Sequence, residues 1–178
     1  MGLVRLDKVA EETKINVDRR PYLLGPDRPP EGEPRVMREG ETQFELNAAW
    51  QERAEAAGLE MHRPQISPRT NLAHEATAYA RERGLDNEFH HAAAKAYWER
   101  GVNLGEKAVL REISEGIGLN WAELEPLLDS GHYRQWVLDE HQAAKERGVP
   151  GTPTYSVNGG EPDFGDKSVD DLRRMVQG

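Results

Sequence analysis

Gly151-Thr152-Pro153-Thr154-Tyr155 is the stretch whose reading decides the fold of this chain. Thr154-Tyr155-Ser156-Val157 is a strand-like run, and Asn158-Gly159-Gly160 after it supplies the residues of a hairpin turn. Pro153 stands at the first position of the strand, where its missing N–H removes a ladder bond only at the end. An X-Pro bond in so tight an approach is a candidate for the cis isomer, which other residues almost never adopt.

Outward from the hairpin, Ser168 with Asp171 three residues on predicts an N-cap, and Val169, Leu172, Met175 and Val176 predict a final amphipathic helix. At the other end, Leu3, Leu6, Val9 and Ala10 predict a helix over residues 2–13. Ile15-Asn16-Val17-Asp18 then alternates before Tyr22-Leu23-Leu24, which predicts a strand beginning near Lys14. Residues 25–40 are rich in Pro, Gly and charge and read as a loop.

Residues 41–147 carry helical stripes, each closed by glycine. Leu46, Trp50, Ala54 and Ala57 end at Gly58; Ala73, Ala76 and Ala80 at Gly84; Phe89, Ala93 and Tyr97 at Gly101; Leu110, Ile113 and Ile117 at Gly118. A shorter helix follows Asn120, a predicted N-cap, and the last carries Tyr133, Trp136, Val137 and Ala144 up to Gly148. His62 to Pro68 is a break. The economical architecture is α/β: a discontinuous core of residues 1–40 and 149–178, interrupted by an all-helical insertion over 41–148.

The chain has 178 residues, 37% hydrophobic and 31% charged, which suits one core with an insertion. No apolar run approaches the length of a membrane span, and the first residues lack the layout of a signal peptide, so a cytoplasmic location is the default expectation. Lys and Arg total 23 against 32 Asp and Glu, a net charge of −9. The densest basic runs, Arg19-Arg20 and Arg173-Arg174, are only pairs, so neither nucleic acid nor membrane is an expected partner. There is no cysteine, which removes disulfides, thiolate metal sites and cysteine nucleophiles together.

Four stretches carry a resemblance. They are Val17-Asp18-Arg19-Arg20-Pro21-Tyr22-Leu23-Leu24, Asp27-Arg28-Pro29-Pro30-Glu31-Gly32, the pair Ala96-Tyr97-Trp98-Glu99-Arg100-Gly101 and Gly116-Ile117-Gly118-Leu119, and Gly148 through Val157. In this order they resemble the DsbA-like branch of the thioredoxin superfamily. More closely, they resemble the FrnE-type oxidoreductases and their relatives, the 2-hydroxychromene-2-carboxylate isomerases and kappa-class glutathione transferases. The resemblance implies a thioredoxin-like fold with a large helical insertion. It implies that Gly151, Thr152 and Pro153 contact substrate, with Gly151 allowing close backbone approach. The implied partner is a thiol- or disulfide-containing peptide, or a small thiol such as glutathione, with no separate cofactor.

The departure from the family pattern is at the front. Its members open with a central strand running into Cys-x-x-Cys at the start of the first helix, and the helix over 2–13 resembles the remainder of that first helix. The strand and motif would lie before Met1, so the leading expectation is an N-terminally shortened or degenerate form whose first, central strand is missing. The other expectation is a short protein that closes the gap by homodimerisation or by recruiting a strand. Without cysteine these 178 residues cannot run dithiol exchange alone, so no catalytic residue is assigned and the expected state is inactive in that reaction. The alternatives are the glutathione-dependent isomerase or transferase branch, which places a serine where the first cysteine would be, and a non-enzymatic thiol- or peptide-binding remnant. Ser67, Ser114, Ser130, Ser156 and Ser168 all fall far from that position.

Other polar groups offer less. His90-His91 face different sides of a helix, and His74, His132 and His141 sit on separate predicted helices, so no metal is assigned. Glu11-Glu12 and Asp170-Asp171 read as solvated helix faces rather than an acid/base pair. Trp50, Trp98, Trp121 and Trp136 all lie in the helical block, mostly as core aromatics.

Overall fold

Two units divide the chain in the computed structural model, which describes all residues from Met1 to Gly178. One comprises Met1–Leu24 with Asp139–Gly178, the other Gly25–Leu138. The chain order is α1 (Gly2–Thr13), β1 (Glu33–Pro34), α2 (Ala48–Ala56), β2 (Ile66–Ser67), α3 (Asn71–Arg81) and α4 (Asp86–Arg100). It continues through α5 (Lys107–Gly116), α6 (Trp121–Ser130), α7 (Arg134–Glu146), β3 (Thr154–Tyr155), β4 (Asp163–Phe164) and α8 (Val169–Gln177). The result is a thioredoxin-like α/β fold dominated by helices, with a helical insertion.

The helical unit is built on small residues. Ala76 and Ala80 of α3 and Ala93 and Ala96 of α4 are buried where these helices meet, so the axes approach closely. Phe89, Leu110, Ile113, Leu124 and Leu128 fill the space around them, each fully buried Leu or Phe contributing roughly 1.5–3 kcal/mol. Asn120 caps α6 as its spacing predicts, its side chain accepting the Ala122 N–H at 3.1 Å. The predicted loop over 25–40 holds β1, paired antiparallel with β2 of the predicted break as Glu33↔Ser67 and Pro34↔Ile66. Gly32 enters that pair at φ 80°, and a Cβ there would lie 2.5 Å from Ile66 Cγ2.

In the other unit α1 packs on α8, burying Val9 and Leu172 between them. Ser168 and Asp171 form the predicted capping box at the start of α8. Arg173 bridges back to Glu12 at 2.8 Å.

Residues 14–24 are not a strand, which corrects the expectation drawn from their alternation. Ile15, Val17 and Arg19 are partly buried while Asn16, Asp18 and Arg20 are exposed, so the period of two is present. A strand also needs a neighbour for its N–H and C=O groups, and the only sheets are β1–β2 and β3–β4. The segment is held by side chains instead. Arg19 pairs with Asp7 at 2.7 Å, the Tyr22 hydroxyl donates to the Val149 carbonyl at 3.3 Å, and the Leu23 N–H donates to His141 Nδ1 at 3.2 Å. No helix is long and apolar enough to cross a membrane.

Candidate functional site

The residues singled out in the hairpin lie together at one end of the first unit. The Thr152–Pro153 peptide bond is cis, and both residues are exposed. The Pro153 carbonyl accepts the Gly165 N–H at 3.0 Å, and β3 pairs antiparallel with β4 as Thr154↔Phe164 and Tyr155↔Asp163. The Thr154 hydroxyl donates back to the Gly151 carbonyl at 2.7 Å, which closes the bend before the strand. Gly151 is buried under the Phe164 ring, whose Cε2 would lie 3.2 Å from a Cβ at that position. The loop is therefore fixed from behind while Thr152 and Pro153 face solvent.

The start of α1 lies against this edge. A Cβ on Gly2 would be 2.7 Å from the Tyr155 hydroxyl oxygen and 3.8 Å from Pro153 Cγ. The first turn of α1, with its N–H groups and their partial positive charge, therefore lies beside Pro153 and Tyr155. Arg5, one turn in, donates to both Asp166 carboxylate oxygens at 2.8 and 2.9 Å and to the Lys167 carbonyl at 3.1 Å, tying α1 to the end of the hairpin. Lys167 in turn reaches Asp163 at 2.6 Å.

Burial, then the Asp166 carboxylate, pushes the Tyr155 hydroxyl above its ordinary pKa, with Arg5 opposing. That hydroxyl is buried and has no hydrogen-bond partner. Burial, then Arg5, pushes the Met1 ammonium down, with Asp166 opposing.

Chemically, the edge can receive an extended chain or a small polar ligand beside Pro153, and the α1 terminus can favour negative charge there. It holds no nucleophile–base pair: the Thr154 hydroxyl is spent on Gly151, and the Asp166 carboxylate on Arg5. No group of three or more His, Asp or Glu residues is placed to hold a metal ion. His141 is taken up in positioning residues 22 and 23.

Gly151, Thr152 and Pro153 are thus brought together with Gly2, Arg5, Tyr155 and Asp166, which sequence reasoning did not assign to the site. Nothing local marks Gly2 or Arg5, because their partners lie some 150 positions away along the chain. Tyr155 was legible only as a strand residue.

A helix abutting a proline-led hairpin, with a helical insertion between them in sequence, defines a thioredoxin-like protein. The chain belongs to the family of DSBA-like thioredoxin domains, whose model matches residues 1–177. Among curated proteins it is similar to "Uncharacterized protein YwbO" of Bacillus subtilis (strain 168). The two are 24% identical over 163 residues, covering 88% of this chain and 79% of that protein.

Among solved structures it is similar to a probable DsbA oxidoreductase from Streptomyces coelicolor. The TM-score is 0.81 at 19% identity, over 99% of this chain and 82% of the other. A 2-hydroxychromene-2-carboxylate isomerase matches with a TM-score of 0.54 at 20% identity, over 71% of this chain and 60% of its own. At these identities the two structures speak to the fold alone.

Proposed function

We propose that this chain is a thiol- or disulfide-peptide-binding protein of the DsbA lineage, an oxidoreductase by descent, whose Thr152–Pro153 edge receives the ligand. The observation that carries the reading is the pairing of that exposed edge with the first turn of α1, which Gly2 allows to lie against Pro153 and Tyr155. An extended peptide beside Thr152 has backbone groups to meet there, and a thiolate or carboxylate of the ligand meets the positive end of α1. Residues 1–178 contain no cysteine, so the exchange of a dithiol for a disulfide has no nucleophile among them. The ligand class is a cysteine-bearing peptide or glutathione, the branch of the reading is FrnE-type, and its compartment is the cytoplasm.

Titration with glutathione and with a cysteine-containing peptide, followed by backbone amide NMR, tests this. Shifts confined to residues 1–5 and 151–155, and lost in Thr152→Trp, are expected. No shifts, or shifts elsewhere, would overturn it. In the same preparations, reduction of insulin by dithiothreitol is expected to proceed no faster than without the protein.

A second reading is the isomerase branch, since a 2-hydroxychromene-2-carboxylate isomerase shares this fold. Turnover of such a carboxylate in the presence of glutathione would favour that branch over a binding role.

A further inference from the structure

The loop from Arg35 to Phe44, in the helical unit, turns one ion pair inward and its apolar side chains outward: Arg35 and Glu41 lie inside, while Val36, Met37 and Phe44 are exposed. The Glu41 side chain has 0% of its surface exposed. It accepts from Arg35 Nη2 at 2.9 Å and Nη1 at 3.3 Å, from Arg63 Nε at 3.2 Å and from the Arg38 N–H at 3.0 Å. Arg63, itself buried, ties the two ends of the loop together. Its guanidinium donates to the carbonyls of Arg35 and Gln43, and its N–H donates to the Phe44 carbonyl at 2.9 Å. The Arg35 N–H donates to the Gln65 carbonyl at 2.8 Å, continuing the β1–β2 pairing into the loop.

On the outer face of this fastened loop Val36 is 83% exposed, Phe44 64% and Met37 53%. Buried ion pairs are costly to assemble, and three large apolar side chains left in water recover nothing in the isolated chain. The arrangement makes sense when something covers that face. We propose that the outer face of loop 35–44 is a docking surface for a short segment of another protein in which apolar side chains are flanked by Lys and Arg.

Charge and area select that occupant. Within the loop and its flanking residues Glu31, Glu39 and Glu45 are exposed, against Arg38 as the exposed cation of the loop, while Glu33 is paired with Arg28 at 3.4 Å. A basic segment is attracted, whereas anionic lipid headgroups are repelled. A second copy of the chain brings the same excess of exposed acid and a net charge of −9. Three side chains also offer far less than the roughly 800 Å² per partner of a stable dimer, an extent that fits a short transient segment. This surface is independent of the ligand edge proposed above.

Fluorescence anisotropy of a short labelled peptide of alternating Leu and Lys, added to the full chain, tests the proposal. Salt-sensitive binding is expected, weakened by about tenfold or more in Val36→Ser/Met37→Ser/Phe44→Ser. Glu39→Lys/Glu45→Lys, which leaves the apolar residues in place, should weaken it as well, and a Leu/Glu peptide should not bind. The proposal is overturned by absence of binding, by equal binding to the serine variant, or by equal binding of the Leu/Glu peptide. Sedimentation showing a dimer that Phe44→Ser abolishes, or flotation with phosphatidylglycerol vesicles that the same variant abolishes, would assign the face to another occupant and overturn it too.

Discussion

Gly2 at the start of α1 touches Tyr155 of β3: a Cβ at position 2 would lie 2.7 Å from the tyrosine hydroxyl oxygen. Real Cβ atoms do not approach so closely, so the helix can start there only because residue 2 has no side chain. The contact has a second consequence. With α1 seated on it, the Tyr155 hydroxyl is buried and unpartnered, a state that costs about 1–3 kcal/mol relative to a satisfied group.

The two effects predict a coupled pair of variants. Gly2→Ala gains up to about 1 kcal/mol of helix propensity but meets the hydroxyl, and overpacking of this kind costs about 1–3 kcal/mol. The net expectation is a loss near 1 kcal/mol, or roughly 2–4 °C in Tm. Tyr155→Phe removes the orphaned oxygen and should stabilise by about 1 kcal/mol. In the double variant the alanine should become neutral or favourable. Thermal melts of all four proteins measure the coupling, and simple additivity would mean that the two side chains do not meet.

His141 predicts a pH response in the same unit. Its Nδ1 accepts the Leu23 N–H at 3.2 Å, so that nitrogen carries a lone pair and not a proton, and its ring meets Tyr22 edge-on at 4.8 Å. Burial, then Lys145, lowers its pKa. The unfolded chain therefore binds the proton better, and the stability is complete above the ordinary value near 6.5 and lost as pH falls below it. His141→Asn keeps an acceptor for Leu23 but loses the ring, costing about 1 kcal/mol at neutral pH. Because Asn does not titrate, the gap between the two proteins should narrow in urea unfolding at about pH 5.5. A gap unchanged with pH would show that His141 does not titrate against folding.

How far the chain could be read depended on whether a residue's partner was near in sequence. Ala73, Ala76 and Ala80 before Gly84, and Ser168 with Asp171, name their own structure because helix faces and caps are local. Ile15 to Arg20 alternated and was correct about which side chains face inward, but alternation says nothing of who supplies the ladder. β1 was hidden in a Pro- and Gly-rich stretch because its two residues are positioned by Gly32 against Ile66. At the site Pro153 was legible from its turn chemistry, while Gly2, Arg5 and Asp166 join it only through the folded unit. Glu41, one acid among many in a chain with 31% charged residues, carries no mark of burial in sequence.

Glu41 and Glu75 are both buried carboxylates, and their surroundings predict opposite responses to acid. For Glu41 burial raises the pKa, but the Arg38 N–H and the Arg35 and Arg63 guanidinium groups outweigh it, so the net shift is downward. Its stabilisation is present above the ordinary carboxylate value near 4.3 and is lost as pH falls through the folded value. Glu75 is 1% exposed, its Oε2 has no partner, and Arg134 stands 3.7 Å from Oε1. Burial dominates there over Arg134, so its pKa is raised. The folded state holds the proton more tightly than the unfolded one, and stability is lost as pH rises from the ordinary value through the raised one. Glu41→Gln should therefore cost about 3–5 kcal/mol at pH near 7, since it leaves two inward-facing guanidinium groups uncompensated, and less in acid. Glu75→Gln should gain about 1 kcal/mol near neutrality and nothing at about pH 4, where the wild-type carboxyl is already protonated. Denaturant unfolding of both variants across that range separates the cases, because a shared sign would mean that Arg134 pairs with Glu75 as firmly as Arg35 and Arg63 pair with Glu41.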